Sequence, residues 1–331
     1  MPDYLKLYRR GIVLDDGNIL FLGTCNLRKT QCLTVNDYNN ITLYDTKLNK
    51  IVSEYHSDND FAVYHSYDYF KLDNEKICII SQPLNLNNAN TYIAIYNIQD
   101  NSLYKTNIKG DIILPKGVKI SEQEILIFSE PRCSEQKTPE KITTICNSPH
   151  ILKYNTTDNS IKVLKSKTSL QSPSYTKIND KIIILGFNPS PKDKYNEIYD
   201  INNDKIVRIP NMQENHVTPF LNGIYKPLFK ALPLGNEYVI ITGGEKALSF
   251  TSPTGIAQDV VEVYSISNNK FKSIGKSHYA HKSHSMLKLD NGDILLIGGF
   301  SYKLGFKNFQ LGSSKISKFE IFKTKIKERN K

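Results

Sequence analysis

The sequence predicts an all-β fold built from six copies of one four-stranded antiparallel unit, and three observations carry that expectation. The first is a recurring short apolar run. NILFLG ends at Gly23, KICIIS at Ser81, EILIFS at Ser129, KIIILG at Gly186, YVIITG at Gly243 and DILLIG at Gly298, at intervals of 58, 48, 57, 57 and 55 residues. Runs this short suit strands buried on both faces rather than helices. The second is an aromatic residue in a later strand of each copy: Tyr44, Tyr96, Tyr154, Tyr199, Tyr264 and, in SKFEI, Phe319. The third is a turn residue five positions beyond the tyrosines: Asn49, Asn101, Asn159, Asp204 and Asn269. Asn and Asp tolerate left-handed backbone angles, so each reads as a hairpin turn. Seven positions beyond the aromatic stands an apolar residue: Ile51, Leu103, Ile161, Ile206, Phe271 and Ile326. Four-stranded units of this kind bury their faces by stacking on one another, and the closed solution is a six-bladed β-propeller.

Taken in order, the blades span about residues 5–55, 64–107, 112–166, 169–211, 226–276 and 281–328 of a single domain, 1–331. Each holds strands a to d. The last blade opens most plainly. In His281 to Phe300, SMLKL is strand a, Asp290-Asn291-Gly292 is the turn, and DILLI is strand b, ending on Gly298-Gly299. The longest connecting segments are 24–40, 130–149, 208–226, 244–259 and 299–315.

The bulk composition is ordinary: 331 residues, 39% hydrophobic and 23% charged. No run of 18 apolar residues exists, so no membrane span is expected. The N-terminal MPDYLKLYRRG lacks an apolar core segment, so no secretory leader and a cytoplasmic location are expected. The net charge of +10 comes mostly from lysines interleaved with Asp, Glu and Asn. Nucleic-acid binding favours a clustered basic face rich in Arg, so nucleic acid is not the expected partner.

The repeats resemble those of the kelch family. Kelch blades end the second strand on Gly-Gly, as at Gly243-Gly244 and Gly298-Gly299, then carry a Tyr and, seven residues later, a Trp. Here Tyr44, Tyr96, Tyr154, Tyr199 and Tyr264 match the Tyr, aliphatic residues and Phe271 take the Trp place, and the chain has no Trp. The resemblance covers almost the whole chain. It implies a propeller fold, and it implies either a binding scaffold or an enzyme, because the family hosts both.

Strand a lines the channel of a propeller, and aligning the copies places Arg9, Tyr67, Pro115, Ser172, Phe229 and His284 at one position. Arg10, Asp68, Lys116, Pro173, Lys230 and Ser285 follow at the next. A channel mouth lined by Arg9, Arg10, Lys116, Lys226, Lys230, His281 and His284 would favour an anionic small molecule or sugar; the alternative is a set of solvated loop-end charges. His278, His281 and His284 do not share one strand face, and no Cys or carboxylate stands at ligand spacing, so no metal and no cofactor are expected.

Cys25 with Cys32, and Cys133 with Cys146, each share one b–c loop, while Cys78 lies in a buried strand. Two readings stand. The loop pairs form disulfides in an oxidising compartment, or all five thiols stay free in a reducing one. No phosphate loop, G-x-S-x-G elbow or H-E-x-x-H motif appears.

The leading functional expectation is a non-enzymatic scaffold that binds another protein through loops carrying Phe250, Phe306 and Phe309. The alternative is a carbohydrate-active propeller resembling the sialate mutarotases. That resemblance implies an acidic sugar held by the basic mouth, with Glu245 or Asp68 as acid/base groups.

Overall fold

The computed structural model describes residues 11–24, 40–56, 66–81, 91–108, 112, 115–129, 132–138, 141–147, 149–187, 194–213, 228–247, 255–281, 284–289, 292–297, 300–304, 311–315 and 319–322. Among them every regular element is a β-strand, so none is a helix long and apolar enough to cross a membrane. They fall into two compact units, one within Met1–Ser129 and Pro149–Leu164, the other within Glu130–Ser148 and Lys165–Lys331.

The first sheet is a meander of β1 (Gly11–Val13), β2 (Ile19–Thr24), β3 (Asn40–Asp45) and β4 (Lys50–His56). The second repeats it with β5 (Ser66–Lys71), β6 (Lys76–Ser81), β7 (Thr91–Asn97) and β8 (Ser102–Ile108). The third begins with β9 (Lys116–Lys119) and β10 (Glu124–Phe128). A separate ribbon of β11 (Arg132–Thr138) and β12 (Lys141–Asn147) then interrupts it before β13 (His150–Asn155) and β14 (Ile161–Lys167) complete it. The fourth sheet is β15 (Gln171–Ile178), β16 (Lys181–Phe187), β17 (Asn196–Asp200) and β18 (Lys205–Ile209).

The fifth runs through β19 (Phe229–Leu234), β20 (Tyr238–Gly243), β22 (Gly255–Ser265) and β23 (Lys270–His281), with the short β21 (Glu245–Ala247) paired to the start of β22. The sixth contains β24 (Ser285–Lys288), β25 (Ile294–Ile297) and β28 (Phe319–Phe322). Between the last two comes a second ribbon, β26 (Phe300–Leu304) with β27 (Leu311–Lys315). All pairings are antiparallel.

The apolar runs are two-faced strands, and their alternation is in phase from sheet to sheet. In β6, Ile77 and Ile79 pack with Leu20, Leu22 and Ile41 of the first sheet. Cys78 and Ile80, on the other face, pack with Ile125 and Ile127 of the third. In β20, Val239 and Ile241 join Ile183 and Leu185 of the fourth sheet, while Ile240 joins Ile294 and Leu296 of the sixth. Successive strand residues point to opposite faces, so a strand covered on both sides must be apolar throughout. Within each unit the sheets therefore stack in chain order. The stacking is close: a Cβ built on Gly117 would lie 2.5 Å from Phe70 Cε1 and 2.6 Å from Ile80 Cδ1.

The spacings of five and seven have separate physical causes. The residue at seven is the cross-strand partner of the tyrosine: Tyr44 faces Ile51, Tyr96 faces Leu103, Tyr199 faces Ile206 and Tyr264 faces Phe271. The residue at five closes the turn with φ between 46° and 59°, and its side chain accepts the tyrosine hydroxyl. Tyr96 Oη donates to Asn101 at 2.7 Å, Tyr154 to Asn159 at 2.6 Å, Tyr264 to Asn269 at 2.8 Å and Tyr199 to Asp204 at 3.3 Å. Tyr44 donates to Asn49 in the same way.

The residue right after the tyrosine builds the rest of the turn. Asp45 accepts the Lys47 and Leu48 amides, and Asp200 those of Asn202 and Asn203. The turn also reaches the outer strand of the sheet before it. Asn101 donates to the Glu54 carbonyl at 3.2 Å, and the Tyr154 hydroxyl lies 3.3 Å from Thr106 Oγ1. Within the second unit, Asp204 accepts the Lys165 amide at 2.8 Å.

Two expectations change. In the first five sheets the residue four before the end of the apolar run faces the tyrosine, as Ile19 faces Tyr44 and Val239 faces Tyr264. In the sixth, that residue is Ile294, and it faces Phe322, not Phe319. Phe322 therefore takes the tyrosine place. It has no hydroxyl to offer a turn, which is why no Asx stands five residues beyond it. The spacing from Phe319 to Ile326 is coincidental to the repeat, and Ile326 lies outside the described residues. The second change concerns the border at 276–281, because β23 runs unbroken from Lys270 to His281.

Removing only the clamp hydroxyl, Tyr96→Phe, leaves Asn101 without its donor and costs about 1–2 kcal/mol in urea unfolding. At Asn101, with φ 54°, alanine should cost more than glycine, which tolerates that angle. A neutral Tyr96→Phe together with equal effects at Asn101 would show that the turn bond contributes nothing.

Candidate functional site

One group of buried polar residues lies at a corner of the second unit, where β19, β20, β23 and β24 meet. Thr242, Glu245, His281 and His284 are all buried there. The corner is built on Gly243-Gly244. Gly243 has φ 68°, and a Cβ on it would lie 2.4 Å from the His281 carbonyl oxygen and 2.6 Å from His284 Cε1. Only glycine fits both the angle and the space. Gly244 then donates its amide to the His281 carbonyl at 2.9 Å and accepts the Gln258 amide at 3.0 Å. These bonds tie the end of β20 to the end of β23 and to β22.

His284 is held by its ring. Its Nε2 lies 2.8 Å from Thr242 Oγ1. Thr242 also approaches Met286 Sδ at 3.5 Å and faces Lys230 across the β19–β20 ladder. The Thr242 hydroxyl and His284 Nε2 thus share one hydrogen bond, which fixes the orientation of the ring. Burial, then the charges of His281 and Lys230, push the His284 pKa down to about 3. The ring is neutral at physiological pH and acts as a hydrogen-bonding group, not a cation. Its Nδ1 makes no hydrogen bond to another described residue. His281 and His284 have ring centroids 5.4 Å apart, although strand parity places them on opposite faces. Parity does not carry across, because β23 ends at His281 and His284 precedes β24.

Thus Lys230, His281 and His284 come together. Lys116 belongs to the first unit, where its Nζ lies 3.9 Å from Asp68. Asp68 also accepts the Gly117 amide at 2.9 Å. The ladder registers place Asp68, Lys116, Lys230 and Ser285 equivalently, each facing the penultimate residue of its apolar run: Ile80, Phe128, Thr242 and Ile297. In the fourth sheet a bulge moves this position from Pro173 to Ser174, which faces Leu185. Arg9, Arg10, Lys226, Phe250, Phe306 and Phe309 lie outside the described residues, as do Cys25 and Cys32. Cys78 is buried, and burial followed by the Asp68 charge raises its pKa well above the ordinary thiol value. It is a core residue, not a reactive thiol. Among the described residues no three His, Cys, Asp or Glu side chains are placed to hold a metal.

Sequence reasoning missed two buried carboxylates. Glu197 accepts Thr168 Oγ1 and Ser169 Oγ, both at 2.7 Å. Glu262 accepts the Gln213 amide at 3.0 Å. Each stands two residues before the repeat tyrosine and grips the segment leading into its own sheet. The signal was present: NEIYD and VEVYS place a charge where ITLYD, IAIYN and ILKYN have Thr, Ala and Leu. Beside Glu197, the Ser169 hydroxyl also meets Tyr195 Oη at 2.8 Å, and the Arg208 guanidinium lies 4.1 Å over the Tyr195 ring.

The second-to-third strand connection is drawn out into paired strands in three sheets: β11–β12, β21 with the start of β22, and β26–β27. Segment 248–254, which holds Phe250, joins β21 to β22. Segment 305–310, which holds Phe306 and Phe309, joins β26 to β27. β26 itself lies against β22 and β23.

Acid should weaken the histidine corner. Unfolded His284 takes up a proton near pH 6.5, whereas the folded ring resists until about pH 3. Its contribution is therefore complete above pH 6.5 and is lost on acidification, by about 1.4 kcal/mol per pH unit between those limits. The unfolding free energy of His284→Asn should fall less steeply over pH 6 to 4 than that of the parent; parallel slopes would contradict the assignment. No protein-family model matches this chain, and the search of curated proteins finds no relative for it.

Proposed function

We propose that the chain is a six-bladed kelch-like propeller that acts as a protein-binding scaffold. Its in-phase four-stranded meanders and the stacking of successive sheets within each unit support the propeller reading. The observation that carries the binding role is the set of ribbons. Three of the second-to-third strand connections leave their sheets as paired strands, all within the second unit. Paired strands present backbone edges and a firm base for their connecting segments. Two of those segments carry Phe250, Phe306 and Phe309, and aromatic residues including Phe are enriched in the cores of protein interfaces. An acidic-sugar role has less support, since Lys116 is paired with Asp68 and His284 is neutral.

The test is quantitative affinity capture from the cells of origin, comparing the chain with a Phe250→Ala, Phe306→Ala, Phe309→Ala variant. Partners of the parent should fall at least about tenfold in recovery, the loss of roughly 1.4 kcal/mol or more. Equal recovery of the same proteins by a folded variant would overturn the scaffold reading.

A further inference from the structure

The ribbon of β11 and β12 differs from the other two. Its strands pair with each other and with no other strand in a sheet among the described residues. The sequence of β11, RCSEQKT, offers no aliphatic or aromatic residue, and β12, KITTICN, offers only Ile142 and Ile145, three positions apart. An isolated two-stranded hairpin is marginal in water without an apolar face or a staple. The register supplies the place for a staple: Cys133 and Cys146 are direct cross-strand partners. Opposed residues in an antiparallel pair have Cα atoms about 4.5 or 5.5 Å apart, depending on whether the pair is hydrogen-bonded. Both values lie inside the range of roughly 4.4–6.8 Å that a disulfide spans. Two cysteines at random positions of two seven-residue strands would seldom coincide in register.

We propose that Cys133 and Cys146 are a dithiol/disulfide pair that closes across this ribbon. The oxidant is a low-molecular-weight disulfide such as oxidised glutathione. One cysteine thiolate attacks it, forming a mixed disulfide and releasing one glutathione thiolate. The other cysteine thiolate attacks the protein sulfur of that mixed disulfide, closing the bridge and releasing the second glutathione. The two cysteines lose two electrons and two protons, and the glutathione disulfide is reduced to two thiols. Cys78 is buried in the core of the second and third sheets and does not compete.

Tryptic mapping tests this directly, because cleavage after Arg132, Lys137, Lys141 and Lys153 separates the two cysteines into CSEQK and ITTICNSPHILK. The folded chain is equilibrated with oxidised glutathione, alkylated without reductant and digested. The expected species is the two peptides joined, two hydrogens lighter than their sum, splitting on reduction. Cys133→Ser should release ITTICNSPHILK with Cys146 alkylated or glutathionylated. A Cys25→Ser, Cys32→Ser variant should still give the joined species. Recovery of both peptides only as alkylated or glutathione-capped forms, or of Cys133 joined to any cysteine other than Cys146, would overturn the proposal.

Discussion

Five hydrogen bonds between a tyrosine hydroxyl and the turn residue five positions on hold the repeat together. A tyrosine ring buried between sheets brings a polar tip with it, and that tip must be satisfied. Here the acceptor is an Asn or Asp that also supplies the left-handed angle ending the turn. One side chain does two jobs, and neither Ser nor Gly does both. Burial keeps the phenols protonated: the pKa values of Tyr96 and Tyr264 are pushed up to about 12, and those of Tyr154 and Tyr199 are raised as well. Where the turn reaches the preceding outer strand, as Asn101 reaches Glu54, the same residue sets one sheet against the next.

With the turn and the tyrosine fixed, the phase of the apolar strand follows. Each two-faced strand shows the same positions to the sheet before it and the alternate positions to the sheet after it. Such a stack is close to a sum of nearest-neighbour contacts, so one unit tolerates change without disturbing distant ones. Variation collects at the opposite edge of the sheets, away from the tyrosine turns. In the second unit, the pairing of β21 with the start of β22, the connector-gripping Glu197 and Glu262, and the His281–His284 corner all lie there. This edge is where the chain departs from its own repeat, and function is sought where repeats depart from one another.

Much of this was legible in the sequence. The apolar runs, the turns and the spacings of five and seven survive because each rests on a local rule: two-faced burial, positive φ, or a cross-strand partner. The sixth copy misled for a physical reason. Phe322 lacks the hydroxyl, so the turn signal that would have fixed its alignment is missing, and Phe319 in SKFEI looks like the match until Ile294 is seen to face Phe322. The histidines misled because strand parity holds only within one strand, and β23 stops at His281. Glu197 and Glu262 were not singled out from the sequence. Their burial depends on a connector arriving from another sheet, which no local pattern announces. The channel mouth was a long-range inference of the same kind. His281 is tied to Gly244 through its carbonyl, His284 to Thr242 through its ring, and Lys230 stands opposite Thr242 in the ladder, contacts that join separate strands.

The most direct measurement is an alkaline titration of the phenols, following phenolate absorbance and folded structure on the same sample. The chain has twenty tyrosines. Four of them, Tyr96, Tyr154, Tyr199 and Tyr264, should stay protonated after the exposed phenols ionise near pH 10 and should titrate only as the fold is lost. Because their folded pKa values are raised, stability should fall with rising pH from about 10 to 12 as the unfolded chain sheds protons that the folded chain retains. All twenty phenols ionising together near pH 10 in a chain that remains folded would contradict the account at its centre.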